Sequence, residues 1–271
     1  MHRLRLEHDE PAADWTVRQI VDNYVPPTWA KVFEEARQEL DDISAIIAQQ
    51  EAKGHEILPL KEDYFRAFDW TPLNTVKVII VGQDPYFQHV IVDGQRVPRA
   101  TGCSFGVRLG DSIPSSLLNI FKEIQANYPD FMIPDHGHLR EWAMQGILLL
   151  NSSLTVRPFY NAQGRLDHDK SLMEVWKGFI QKVFQGIYRA NPGAITVLWG
   201  AEAQKLKGML PGTAIVLESG HPSGLSASKY FFGNGHFKKI NEILTNQELP
   251  LIKWQLSSAE ELYSRGWASL K

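Results

Sequence analysis

Four short apolar runs, each broken off by a turn rich in polar and glycine residues, restrict this chain more than any other feature. The first, Val76-Lys77-Val78-Ile79-Ile80-Val81, is β-branched and stops at Gly82-Gln83-Asp84-Pro85-Tyr86-Phe87. Gly146-Ile147-Leu148-Leu149-Leu150 ends on Asn151-Ser152-Ser153, and Ala194-Ile195-Thr196-Val197-Leu198-Trp199 ends on Gly200. Thr213 through Ser219 ends on Gly220-His221-Pro222-Ser223-Gly224-Leu225-Ser226. Short apolar runs without alternation read as strands buried on both faces, as in a parallel sheet. Helical patterns separate them, so the chain reads as one α/β domain, a three-layer α/β/α arrangement with a central four-stranded parallel twisted sheet. Parallel strands bring their carboxyl ends to one edge, where open α/β sheets bind ligands. Asp84, Asn151 and His221 then converge there. Taken singly, Asp84-Pro85 is equally an ordinary turn initiator.

The helical patterns are apolar stripes rather than cofactor sites. Leu172, Val175, Trp176, Phe179, Val183 and Ile187 form one stripe, stopped by Asn191-Pro192-Gly193; Val32, Phe33, Ala36, Leu40, Ile43 and Ile47 form another after a helix start at Pro26-Pro27-Thr28. Pro114-Ser115-Ser116 opens a third helix, whose free N–H groups and serine hydroxyls suit an anion or a plain cap. Between the first two strands, Asp93-Gly94 flanked by Val90-Ile91-Val92 and Val97 signals a hairpin inserted over 88–100. Gly102 and Gly106 permit unusual backbone angles around Phe105. Residues 1–26 read as an N-terminal arm with Trp15 and Ile20 as anchors, and 1–271 as a single domain.

At 271 residues the chain is long enough for one well-buried core. A single cysteine, Cys103, excludes an internal disulfide and fits a reducing compartment. The charged N-terminus has no apolar signal region, and no apolar run reaches spanning length, so a soluble, cytoplasmic protein without a membrane partner is expected. The net charge of −3 gives no bulk attraction to nucleic acid, but its distribution is uneven. Nine carboxylates face four bases between Lys31 and Asp63, whereas Lys229, Lys238 and Lys239 follow His221 with no carboxylate up to Ile240. That pattern reads either as two solvated faces or as a basic edge that meets phosphate. No histidine spacing suits a metal, and His136-Gly137-His138 reads as a surface loop. No phosphate-cradling lysine loop, Gly-x-Gly-x-x-Gly or Gly-x-Ser-x-Gly occurs, so no metal or cofactor is expected. What remains is a carboxylate to orient water, an amide to read a base edge and a histidine to steady a developing oxyanion.

Those residues carry a resemblance. Gly82-Gln83-Asp84-Pro85-Tyr86, Gly146 to Asn151 and His221-Pro222-Ser223-Gly224-Leu225-Ser226 resemble the signature motifs of the family 1 uracil-DNA glycosylases. Leu58 through Phe87, Ser116 through Glu123, Leu154 through Arg157 and Phe231 through Phe237 are similar too, and the likeness runs from about Pro27 to Leu256. The resemblance implies an enzyme that flips uracil out of DNA and hydrolyses its N-glycosidic bond without metal or cofactor. It implies that Asp84 activates water and steadies the cationic sugar, while His221 hydrogen-bonds uracil O2. It implies that Asn151 reads uracil N3 and O4, Tyr86 excludes a C5 methyl, Phe105 stacks on the base and Gln83 helps hold it. Leu225 would fill the vacated space, with Ser116, Ser223 and Ser226 gripping phosphates. The implied partner is single- or double-stranded DNA containing uracil, met by a monomer.

Three positions depart from the family pattern. Phe87 stands where the family usually has histidine, Gly106 where serine is common, and Gly224 where proline is usual. Phenylalanine cannot hold water or Asp84, so either the site runs slower or the ordered 88–100 hairpin brings a replacement donor, with Gln88 and His89 nearest; partial replacement is the favoured expectation. Two other readings are a glycosylase shifted to another damaged base and a non-catalytic uracil or DNA-binding module.

Overall fold

The computed structural model describes residues 15–169 and 171–267. The four apolar runs form strands β1 (Val78–Gly82), β4 (Ile147–Asn151), β7 (Ile195–Trp199) and β8 (Ile215–Ser219). They make one all-parallel sheet in the order β4-β1-β7-β8. Every residue of β1, β4 and β7 is buried, which the absence of polar alternation requires. The edge strand β8 is only half-buried, consistent with its Glu218. β1 lies centrally with β4 and β7 on either side, so the loops after β1 and β4 leave the sheet as neighbours.

Helices flank this sheet as expected. The helix Ser171–Ala190 buries Leu172, Trp176, Phe179, Val183 and Ile187 of its stripe, and Val175 is partly buried. It stops because Asn191 turns its side chain back, accepting from Gly193 N–H at 3.1 Å and donating to Val76 O at 2.9 Å. Phe33, Phe65, Phe68 and Trp176 crowd around Phe179 at centroid distances of 5.2 to 6.0 Å. A second aromatic group links Phe121, Trp142, Trp254, Phe237 and Trp199. Each such edge contact contributes on the order of 1 kcal/mol beyond area burial. Residues 15–26 of the expected arm are no loose tether: Val17–Tyr24 is a helix with a Thr16/Gln19 capping box, burying Val17, Ile20, Val21 and Tyr24. Residues 1–14 lie outside the described ones. No helix among the described residues is long and apolar enough to cross a membrane.

Two small hairpins stand outside the sheet. Asp93-Gly94 joins β2 (His89–Val92) to β3 (Gln95–Pro98), with both turn residues at positive φ. The other, β5 (Arg157–Tyr160) with β6 (Leu166–Asp169), went unread in the sequence. Its signal was Asn161 and Gly164: the Asn161 carboxamide oxygen accepts from the N–H of Gln163 and Arg165, and Gly164 has φ +68°.

The His136-Gly137-His138 stretch is a correction. Both histidines are buried. His136 Nδ1 accepts from His138 N–H at 3.0 Å, which leaves its proton on Nε2, 2.8 Å from Ser257 O. His138 sits between Trp70 and Trp267, and burial pushes its pKa down to about 3. The sequence shows only two histidines beside a glycine; the C-terminal segment that covers them is more than a hundred residues away.

His236, a third buried histidine, has a stability consequence. Trp199 Nε1–H donates to His236 Nδ1 at 3.0 Å, so that nitrogen must stay unprotonated. Burial lowers the His236 pKa to about 4, the Glu123 charge opposing it in part. The unfolded chain takes up this proton near 6.5, the folded chain only near 4, so stability is complete above that window and falls as pH drops through it. The urea midpoint is expected to decline between pH about 6.5 and 4, and His236→Phe to flatten that decline. An unchanged slope in the variant would count against this origin.

Candidate active site

The site grows from the loop after β1. Gly82 pairs with Asn151 across β1 and β4, so Asp84 and Asn151 leave the sheet together. A Cβ at position 82 would lie 2.3 Å from the Asn151 side-chain oxygen and 2.8 Å from Ser104 Cβ; only glycine lets β1 pass the amide this closely. The two loops are knitted by backbone, with Ser152 N–H donating to Gly82 O at 2.9 Å and Ser153 N–H to Gln83 O at 3.0 Å. Asn151 is 4% exposed, yet among the described residues its side chain makes no hydrogen bond. The amide lines a cavity with its donor and acceptor unengaged, which places both to meet a ligand.

Phe105 comes over this edge on a loop fastened to the sheet. Ser104 N–H donates to Leu149 O at 3.0 Å and its hydroxyl to Ile80 O at 3.1 Å. Gly102 takes a positive φ as anticipated, but Gly106 does not; Phe105 itself does, at +62°. That backbone is strained for an aromatic residue and holds the ring in place. Tyr86 hydroxyl donates to Phe105 O at 3.3 Å, and the Phe105 ring lies 6.2 Å from His221.

His221 follows β8 in a loop tied to the helix Ser115–Asn127, where Asn119 donates to Pro222 O at 2.8 Å. Ser223 N–H donates to His221 Nδ1 at 3.0 Å. The ring proton of a neutral His221 therefore stands on Nε2. Burial lowers the His221 pKa from its ordinary value, the Asp84 charge opposing that shift. The tautomer and the lowered pKa together make His221 a neutral donor.

One cavity of about 410 Å³ gathers these groups: Gln83, Asp84, Tyr86, Phe105, Asn151 and His221 line it with Ser116 and Ser223. Ser226 is not on the wall. Its hydroxyl donates to His221 O at 2.8 Å and lies 2.9 Å from that of Ser223. Leu225 lies in the helical turn Gly224–Ser226, its side chain outside the described ones. Among the described residues no group of three or more His, Cys, Asp or Glu could hold a metal ion. Further wall residues include Ala100, Cys103 and, missed by sequence reasoning as a polar group of the site, His168 of β6, with Nε2 2.8 Å from Asp84 Oδ2.

A family model for the Uracil DNA glycosylase superfamily matches residues 68–245. Uracil-DNA glycosylase of Proteus mirabilis (strain HI4320) is 41% identical over 239 residues, covering 87% of this chain and 99% of that protein. That of Francisella philomiragia is 37% identical over 84% of this chain and 99% of its own length. This chain belongs to the uracil-DNA glycosylase superfamily. The crystal structure of mimivirus uracil-DNA glycosylase superposes with a TM-score of 0.73 at 28% identity, covering 85% of this chain and 87% of that one. A mimivirus variant of the same fold was solved in complex with UGI.

In this superfamily member the neighbourhood of Phe87 overturns one expectation. His89 does not approach Asp84; its Nε2 is 3.0 Å from Glu56 Oε1. Neither Gln88 nor His89 lines the cavity. The β2–β3 hairpin sets its histidine against that carboxylate, and the histidine that reaches Asp84 comes from the other hairpin.

Proposed function

We propose that this glycosylase excises uracil from DNA by hydrolysing the bond between C1′ and N1, with the residues of the cavity in the following roles. The bond's electron pair leaves with uracil, and His221 Nε2–H donates to O2, where negative charge develops. Asp84 steadies the cationic sugar and orients the water whose oxygen bonds to C1′, accepting the proton that water gives up; that proton ultimately neutralises the departing uracil anion. Placing charge and donors where they are needed in advance is the larger part of such catalysis. Asn151 accepts from uracil N3–H and donates to O4. Tyr86 stands against C5, Phe105 stacks on the base, and Gln83 holds it from the loop after β1. Ser116, Ser223 and Ser226 grip backbone phosphates, and Leu225 enters the space the base leaves. Unstacking costs a few kcal/mol and must be offset by such contacts.

The observation that carries this reading is the Asn151 amide, unengaged on the cavity wall it shares with Asp84. A time course of free-base release from oligonucleotides containing uracil, cytosine or thymine tests it. Uracil alone is expected to be released; equal release of cytosine would overturn the Asn151 assignment.

DNA binding should depend on salt despite the net charge of −3. Lys229, Lys238 and Lys239 are exposed, and among the described residues only Lys239 of the three has a carboxylate partner, Glu242 at 3.4 Å. If these lysines neutralise about three phosphates, affinity for a uracil duplex falls roughly 40-fold between about 50 and 200 mM salt. A flat titration would place the DNA elsewhere.

A further inference from the structure

Asp84 makes two polar side-chain contacts among the described residues. Gln83 Nε2 lies 3.5 Å from Oδ2, and His168 Nε2 lies 2.8 Å from the same oxygen. The histidine is therefore the closer partner, and both its side chain and that of Asp84 are largely buried, at 14% and 16% exposure. Its ring stacks on Phe87 with centroids 4.5 Å apart and planes 19° apart. The approach to Asp84 is close but off the line of a hydrogen bond, and neither buried ring nitrogen has a hydrogen-bond partner. Nδ1 is 3.5 Å from Asp167, the only other carboxylate in contact with the ring among the described residues. The hairpin that carries His168 is moored beside it, where Arg157 pairs with Asp169 and also reaches His55. A buried imidazole, walled by an aromatic ring and facing a cavity carboxylate, is a built arrangement with its hydrogen bonding left open.

We propose that His168 is the positioning residue of Asp84, with Phe87 as the flat wall that sets its ring. A carboxylate is nearly free to turn about its last torsion, whose preferences are broad and two-fold. A donor on Oδ2 stops that rotation and leaves Oδ1 to face the water and the sugar. Contacts of this kind are often poorly aligned in the empty site and tighten with substrate bound. Phe87 cannot supply a polar contact, but its face fixes the imidazole that does. The inference rests on Asp84 acting in the chemical step as proposed above.

His168→Phe keeps a ring to stack on Phe87 and removes the nitrogen. Misplacing a reacting group by about 1 Å costs about 100-fold, so the single-turnover rate on a uracil duplex should fall about 10- to 100-fold. Affinity for a duplex carrying 2′-fluorinated deoxyuridine, whose glycosidic bond resists cleavage, should stay within about threefold, because the interaction acts through Asp84 and not on the base. In an Asp84→Asn background the same change should have little further effect. Phe87→His added to His168→Phe should recover part of the lost rate by bringing an imidazole from the other side. His168→Gln and a melting curve guard against a folding defect. A His168→Phe rate within about threefold of wild type, with Asp84→Asn inactive, would overturn the proposal and leave the reading of Asp84 standing. So would an undiminished effect of His168→Phe in the Asp84→Asn background. If Asp84→Asn itself retains the wild-type rate, the reading of Asp84 fails first, and the positioning role with it.

Discussion

Asp84→Asn is expected to slow single-turnover uracil release by about a thousandfold or more, a loss of about 4 kcal/mol of transition-state stabilisation. The substitution keeps size and shape and removes the charge. The neutral deoxyribose and base of the ground state gain little from that charge, whereas the sugar cation of the transition state gains much, in a largely buried site where electrostatics are weakly screened. The loss should therefore appear in the chemical step, with affinity for uracil-containing DNA nearly unchanged. Equal losses in rate and affinity would point to a structural role, and a rate within about tenfold of wild type would remove Asp84 from the chemistry.

Asn151→Asp is expected to reduce uracil release about a hundredfold or more while admitting slow release of cytosine. With the carboxylate ionised, uracil O4 faces an oxygen in place of the amide N–H. Sites built around buried hydrogen bonds reject a mismatched partner by factors of up to about 10⁴. A protonated carboxyl can donate to cytosine N3 and accept from its amino group, the reverse of the uracil pattern. Gly82 on one side and the β1–β4 register on the other hold position 151 in place, so the effect should be one of hydrogen-bond pattern. The check is base release from uracil and cytosine opposite an unpaired site, with melting curves for both proteins. Unaltered discrimination would remove Asn151 from base reading.

How much of this was legible follows from the range of each signal. Strand identity was plain, because β1, β4 and β7 are buried throughout and carry no alternation. The β2–β3 hairpin was written in Asp93-Gly94, a local turn preference. The β5–β6 hairpin was harder. Its strands, Arg157–Tyr160 and Leu166–Asp169, mix charged, aromatic and proline residues with no buried face, so no periodicity marks them. His168, flanked by Asp167 and Asp169, looks like any surface histidine until the hairpin folds back onto Phe87.

By itself, then, the sequence determined that Asp84, Asn151 and His221 stand at or just past the carboxyl ends of strands, since apolar runs and turn chemistry act over a few residues and need no knowledge of the rest. Only the tertiary structure decided which nitrogen of His221 carries the proton, that Phe105 takes the left-handed backbone and its neighbour Gly106 does not, and that His89 lies against Glu56 while His168 lies against Asp84. Each of these depends on which groups packing brings within about 3 Å, a distance at which hydrogen bonds and charges act and at which separation along the chain carries no information.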